Sequence, residues 1–255
     1  MISSSFLIIA VIGVLIGLLS GLFGLGGALI ATPLLKIFAG LSPLLALATP
    51  LPAAIPSAIS GSIVYHRNKL IDFKIAKVIL LCAIPFNYIG VESTKYVDDK
   101  VLMILTGVFL FVVGGTFFVR GWLLKEEKEY EVQRSLAVLI PAGIATGFLS
   151  GLLAIGGGIV LVPVFVRLNR LPLKSALATS LFCVLILSIV GTIKHYMLGN
   201  IDVKTALILS VFAVPFSYYG AKMAIKLRNQ TLERMYGTFV VCFAIYFLIN
   251  VLTGK

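Results

Sequence analysis

The chain has 255 residues, of which 60% are hydrophobic and only 12% charged. A water-soluble domain carries roughly 25% charged residues, so this composition excludes a soluble enzyme, a disordered chain and a disulfide-stapled secreted domain. It points instead to an all-α polytopic membrane protein. The net charge of +11, from 21 Lys and Arg against 10 Asp and Glu, reads as basic loops held at the cytoplasmic leaflet, with the lipid bilayer rather than nucleic acid as partner.

A membrane-crossing helix needs about 20 apolar residues. The first apolar block, 6–38, is too long for one span and is broken by glycines. A span follows at 43–65, then a basic loop with His66, Arg67, Lys69 and Lys74. Further spans cover 75–91, ending near Glu92, and 101–119. A charged linker at 120–135 divides the chain into a first transmembrane repeat, 1–119, and a second, 136–255. The second half opens on another glycine-broken block, 136–166, with spans at 175–193, 204–221 and 232–252. The apolar runs are continuous rather than alternating, which argues against a membrane β-barrel. Cys82, Cys183 and Cys242 each lie in an apolar run without a CxxC spacing and read as buried small hydrophobes, with no metal or cofactor. The start, Met1-Ile-Ser-Ser-Ser5, lacks the basic region of a cleavable signal.

The two halves repeat at an offset of 130. Gly17-Leu-Leu-Ser-Gly-Leu22 matches Gly147-Phe-Leu-Ser-Gly-Leu152, Gly26-Gly27 matches Gly156-Gly157, and Pro33 matches Pro163. Ala46-Leu-Ala-Thr49 matches Ala176-Leu-Ala-Thr179, Asp72-x-Lys74 matches Asp202-x-Lys204, and Pro85-Phe86-x-Tyr88 matches Pro215-Phe216-x-Tyr218. Over 17–90, 26 of 74 positions are identical without a gap. Shared apolar composition does not align glycines, prolines and an Asp-x-Lys pair in this way.

Charge decides the expected orientation. If each glycine-broken block is a hairpin returning to its starting side, the loops at 67–77, 120–134, 167–174 and 222–234 share one face with fifteen basic residues, leaving six on the other. Positive-inside then places the basic face in the cytoplasm and both termini outside. The repeats become inverted in topology, each a glycine-broken helical hairpin plus three transmembrane helices, or 8–10 membrane helices in all. With four simple crossings per half the same residues split ten to eleven and give no orientation.

In inverted-repeat transporters the substrate site lies near the midplane, where broken helices meet. The segments around Gly24, Gly26 and Gly27 and around Gly156, Gly157 and Gly158 are such a pair. Helices restarting after them aim free N–H groups and a positive dipole end into the cavity, which is an anion site made of backbone. Thr32, Thr49, Thr179 and Ser180 are candidate hydroxyl donors. Glycines in membrane helices also serve close packing alone; matched copies with a proline six residues on favour the lining role. No Asp or Glu sits mid-span, so a neutral cavity suits a small anion better than a cation. His66 and His195 align with tyrosines and read as interfacial residues. Pro85 and Pro215 read as kinks, Asn87 and Ser217 as candidates for a polar path, and Asp72 and Asp202 as helix caps. Pro50, Pro52 and Pro56 break the start of one span and have no counterpart.

The paired Gly17–Gly27 and Gly147–Gly157 motifs, the prolines that follow and the Ala-x-Ala-Thr stretches resemble the sulfite exporter TauE/SafE family over nearly the whole chain. The resemblance implies a carrier of small sulfur-containing anions such as sulfite, sulfonates and sulfoacetate. It also implies that Gly26, Gly27, Gly156, Gly157, Thr49 and Thr179 line the cavity. Gly24 aligns with Ala154 and Ala28 with Gly158, so the half-sites differ. The expected function is therefore a secondary transporter of a small anion in the cytoplasmic membrane, not an enzyme, working by alternating access. An anion channel, or a carrier of a non-sulfur substrate, is the alternative reading. No GxxxxGK[ST] loop is present, so ion or substrate gradients, or a separate subunit, would drive transport. Self-association into a homo-oligomer is left open.

Overall fold

The computed structural model describes residues 2–123, 132 and 135–253. Among them are eleven α-helices: α1 (Ile2–Phe23), α2 (Ala28–Ala39), α3 (Pro43–Ala48), α4 (Pro50–Arg67), α5 (Phe73–Ser93), α6 (Asp99–Leu123), α7 (Leu136–Leu152), α8 (Gly158–Arg167), α9 (Leu173–Met197), α10 (Val203–Lys226) and α11 (Asn229–Thr253). A 3-10 turn, Thr94–Tyr96, precedes α6. Most of the expected 120–135 linker, including its charge run at 125–129, lies outside the described residues. Six helices are long and apolar enough to cross a membrane. They expose apolar side chains outward, with Leu7, Leu81, Leu207 and Val211 each over 60% accessible, as helices facing lipid do.

Element starts follow the 130-residue offset: 28, 43, 73 and 99 recur at 158, 173, 203 and 229. One element departs from it. The first half is interrupted at Thr49, between α3 and α4, where the second half has the unbroken α9. Pro50 and Pro52 supply no N–H and crowd the preceding turn, so the helical ladder cannot run through them. Asp72 caps α5, its Oδ1 accepting from the Lys74 and Ile75 N–H groups at 3.1 Å each. Asp202 is different: its side chain caps no backbone N–H and instead accepts the Thr205 hydroxyl at 2.5 Å.

Glycine stripes set the packing. A Cβ on Gly17 would lie 2.3 Å from the Ala213 carbonyl oxygen, and one on Gly21 2.0 Å from that of Ser217. In the other half, Gly147 meets the Ala83 oxygen at 2.2 Å and Gly151 that of Asn87 at 2.1 Å. So α1 lies backbone-to-backbone on α10, and α7 on α5, a contact only small residues permit. Both pairs run parallel, because the numbers rise together. By contrast Gly107 packs on Leu248 and Gly114 on Val240, while Gly61 packs on Leu181 and Gly191 on Leu51. So α6 with α11, and α4 with α9, run antiparallel. Each of these is a pair of elements 130 residues apart.

One hydrogen bond reinforces the glycine seams: the fully buried Tyr65 donates its hydroxyl to the Gly21 carbonyl at 2.7 Å. His195, 130 residues later, approaches Gly151 from the same position, with its Nε2 unpaired. His195 is therefore a buried core residue and not the interfacial one expected, whereas His66 is exposed. Of the cysteines, Cys183 is buried, Cys82 is half-buried and Cys242 is exposed, so the buried reading fails for Cys242.

Candidate anion site where two helix tips meet

Each glycine-broken segment folds back on itself. After α1, Gly24, Gly26 and Gly27 all take left-handed backbone, with φ of +67°, +75° and +73°. This brings Gly27 against Ile16, with 2.7 Å from its Cβ position to the Ile16 carbonyl oxygen. After α7, Gly156 and Gly157 have φ of +68° and +84°, and Gly157 lies against Thr146. A side chain at these positions would be strained as well as crowded. The helices that restart are short: α2 has 12 residues and α8 has 10. At 1.5 Å per residue each covers roughly half of a ~30 Å hydrocarbon core.

The two turns touch. A Cβ on Gly158 would stand 2.5 Å from the Gly24 carbonyl oxygen and 2.8 Å from the Leu25 Cα. The Ser180 hydroxyl of α9 lies 3.0 Å from the Gly24 carbonyl and 3.1 Å from that of Gly158. Its single proton is shared between them and holds the tips together. Val184, one turn further along α9, meets both Gly26 and Gly156. The N-cap residues of α2 and α8 are Gly27 and Gly157, and neither end has a side-chain cap. Their first-turn N–H groups have no intrahelical acceptor, so two positive dipole ends converge beside α9. A fully buried hydroxyl without a partner faces the second tip, Ser188 Oγ at 3.2 Å from the Gly156 Cβ position, and the buried Thr146 borders Gly157 through its methyl group.

This pattern of tandem glycine tips and following prolines extends across the chain. The sulfite exporter TauE/SafE family model matches residues 9–247. The chain belongs to the sulfite exporter TauE/SafE family. It is 27% identical over 253 residues to the probable membrane transporter protein YunE of Bacillus subtilis, covering 89% of this chain and 90% of YunE. A probable membrane transporter protein of Methanocaldococcus jannaschii is 26% identical, with 95% of both chains covered. The Escherichia coli probable membrane transporter protein YfcA is 25% identical over 85% of this chain and 78% of its own length. No solved structure matches. The TauE/SafE chain is thus a multi-pass membrane protein of a transporter family.

The expected site residues fall into two groups. Gly26, Gly156 and Gly158 gather around Val184 of α9, Gly24 lies against Leu177 and bonds Ser180 on the same helix, and Gly27 and Gly157 are the adjoining N-caps. Thr49 and Thr179 turn elsewhere. The Thr179 Oγ1 accepts the Asp72 N–H at 2.9 Å, and the Thr49 Oγ1 accepts the Asp202 N–H at 3.0 Å. The two threonines therefore serve helix starts symmetrically, which explains their repetition. Thr32 donates to the Ala28 carbonyl within α2. Asn87 is buried and donates from Nδ2 to the Ser150 Oγ at 3.2 Å; its counterpart Ser217 is buried without a partner. Ser188 and Thr146 escaped sequence reading because neither is repeated: their counterparts are Ala58 and Ile16.

Two shallow depressions lie at matching places in the halves. One is lined by Leu173, Leu177, Leu232 and Glu233 among others; the other by Pro43, Leu47, Leu102 and Met103 among others. These residues correspond one to one at the 130-residue offset. Each carries an acidic residue, at different positions: Asp99 in one, and Glu233, buried in the second turn of α11, in the other, the latter at a place where an apolar count sees only the edge of a span.

Proposed function

We propose that this chain is a secondary carrier of a small anion, a sulfite-like or sulfonate anion, in the cytoplasmic membrane. The anion binds at the two helix tips. The observation that carries this reading is the meeting of two uncapped helix N-termini, at Gly27 and Gly157, beside buried hydroxyls that have no protein partner. Backbone N–H groups and positive dipole ends bind an anion without requiring a fixed cation. The family's name, sulfite exporter, supports the sulfur oxyanion.

The two halves act as inverted repeats in this reading. The opposed directions of α4 and α9, and of α6 and α11, are what a two-fold axis in the membrane plane produces. Rocking of one half against the other would expose the tips to each face in turn.

The test is a thermal-stability panel on detergent-purified protein with sulfite, thiosulfate, sulfoacetate, sulfate, acetate and chloride at equal ionic strength. A ligand at 100 times its dissociation constant that binds only the folded state stabilises it by about 2.7 kcal/mol. Selective stabilisation by a sulfur anion, lost in Gly157→Ala protein that still melts cooperatively, is the expected result. A flat response to every anion overturns the reading.

A further inference from the structure

Lys194 is a buried cation in the last turn of α9. Its ammonium lies 2.7 Å from a Glu92 carboxylate oxygen and 2.8 Å from the Tyr88 hydroxyl, to which it donates, and 4.2 Å from the centre of the Tyr88 ring. Glu92 is also paired with Lys95. The arrangement exists in one half only: Val64 stands where the repeat would place Lys194, and Lys222 where it would place Glu92. A buried charge in a membrane helix is costly and marks a route for ions more often than a plain structural contact.

What lies between Lys194 and the tips gives the lysine its meaning. Thr192 Oγ1, Asn87 Oδ1, Ser188 Oγ and Thr146 Oγ1 are buried atoms without a hydrogen-bond partner. Asn87 Oδ1 lies 3.6 Å from the Gly191 Cβ position, and Ser188 Oγ 3.2 Å from that of Gly156. Asn87 in turn holds Ser150, which borders Gly157. Asn87, facing Gly191 one turn before Lys194, and Ser150 therefore connect the lysine's end of α9 to the N-terminus of α8. Native proteins leave few buried polar atoms unpaired, and several around α9 point to a guest that pairs them.

We propose that Lys194 is the charge-selecting residue for the transported anion, and that Glu92 is the internal anion occupying it when no substrate is present. This rests on the carrier reading above. An arriving oxyanion takes the ammonium and the Tyr88 hydroxyl, while Glu92 retains Lys95 as its partner. The exchange therefore strands no carboxylate. From there the anion passes Asn87 and Ser150 to the uncapped α8 N-terminus.

The experiment is titration of thermal stability with sulfite, thiosulfate, sulfoacetate and sulfate at constant ionic strength. It uses the full chain as wild type, Lys194→Gln, Lys194→Arg and Glu92→Gln. Losing one charge-assisted hydrogen bond weakens binding roughly ten- to a hundredfold, so Lys194→Gln should raise the apparent Kd of the responding anion by that factor. Lys194→Arg should stay near wild type, and Glu92→Gln should tighten binding by removing the competitor. A lysine that merely staples α9 to α5 predicts otherwise: both neutral variants melt earlier and the Kd is unchanged. An unchanged Kd in Lys194→Gln overturns this proposal alone. If Lys194→Gln does not fold, failure of Glu92→Gln to tighten binding does the same. A wild type that responds to no anion overturns this proposal and the carrier reading together.

Discussion

Gly158→Ala is the sharpest test of tip-to-tip contact. Gly158 has ordinary right-handed backbone, so its replacement carries no conformational strain, and the whole effect must come from the added methyl. That methyl would sit 2.5 Å from the Gly24 carbonyl oxygen, 2.8 Å from the Leu25 Cα and 2.9 Å from the Val184 Cγ2. Two of the three are backbone atoms of the opposite tip and cannot swing aside as a side chain would. Relief requires the tips to part by several tenths of an ångström, which also lengthens the bonds of Ser180 to both carbonyls. Overpacking of this kind costs about 1–3 kcal/mol, or roughly 2–4 °C of melting temperature per kcal/mol for a chain of this size. Gly115→Ala is the control, since nothing lies within 4 Å of that Cβ position in the middle of α6; helix propensity alone should make it neutral or up to ~1 kcal/mol stabilising. Melting curves and sulfite flux into proteoliposomes are the assays. Gly158→Ala protein with wild-type melting and flux would refute the tip contact.

Ala154 occupies the position of Gly24 with φ of +49°; Ala154→Gly should raise stability by roughly 0.5–1 kcal/mol in a thermal melt, because left-handed backbone costs an alanine more than a glycine. Tyr65→Phe leaves the Gly21 carbonyl without its donor and should cost about 1–3 kcal/mol; an unchanged melting temperature would show that the bond contributes nothing. Thr179→Val removes the acceptor of the Asp72 N–H and should destabilise by a similar ~1–3 kcal/mol while leaving anion Kd values as in wild type. A selective loss of anion binding would return Thr179 to the cavity.

Much of the architecture is legible in spacing. Asp72-x-Lys74 and Asp202-x-Lys204 mark the starts of α5 and α10, and the left-handed turns fall on the glycines that interrupt the first block of each half. The partners of those helices are not legible. Gly13, Gly17 and Gly21 advertise a close approach, but a small-residue stripe fits any apolar helix, and only the fold assigns it to α10. Thr49 and Thr179 accept the Asp202 and Asp72 N–H groups, a role not legible beforehand because repetition signals a shared role without saying which one. Lys194 was hidden for a different reason. A hydropathy count ends a span at the first charge, at 193, whereas α9 continues to Met197 and carries the lysine into the protein, where Glu92 and Tyr88 receive it. Tyr65 and His195 differ in chemistry yet approach the same glycine position, a similarity no residue-by-residue alignment scores.

The crossed pairing of α1 with α10 and of α7 with α5 bears on how the chain is made. When α7 leaves the ribosome, α5 is already in place to receive its glycine face. When α1 emerges, its partner has yet to be synthesised, and almost the whole chain must follow before α10 arrives. Of the two crossed seams, that of α1 thus closes after that of α7, and its glycine groove waits in the bilayer in the meantime. Chains truncated before α10 should leave that groove open to proteases and quality-control machinery, while the second half's first helix docks at once. Neither half can close its own seam, so the duplicated protein folds as a single interlocked unit.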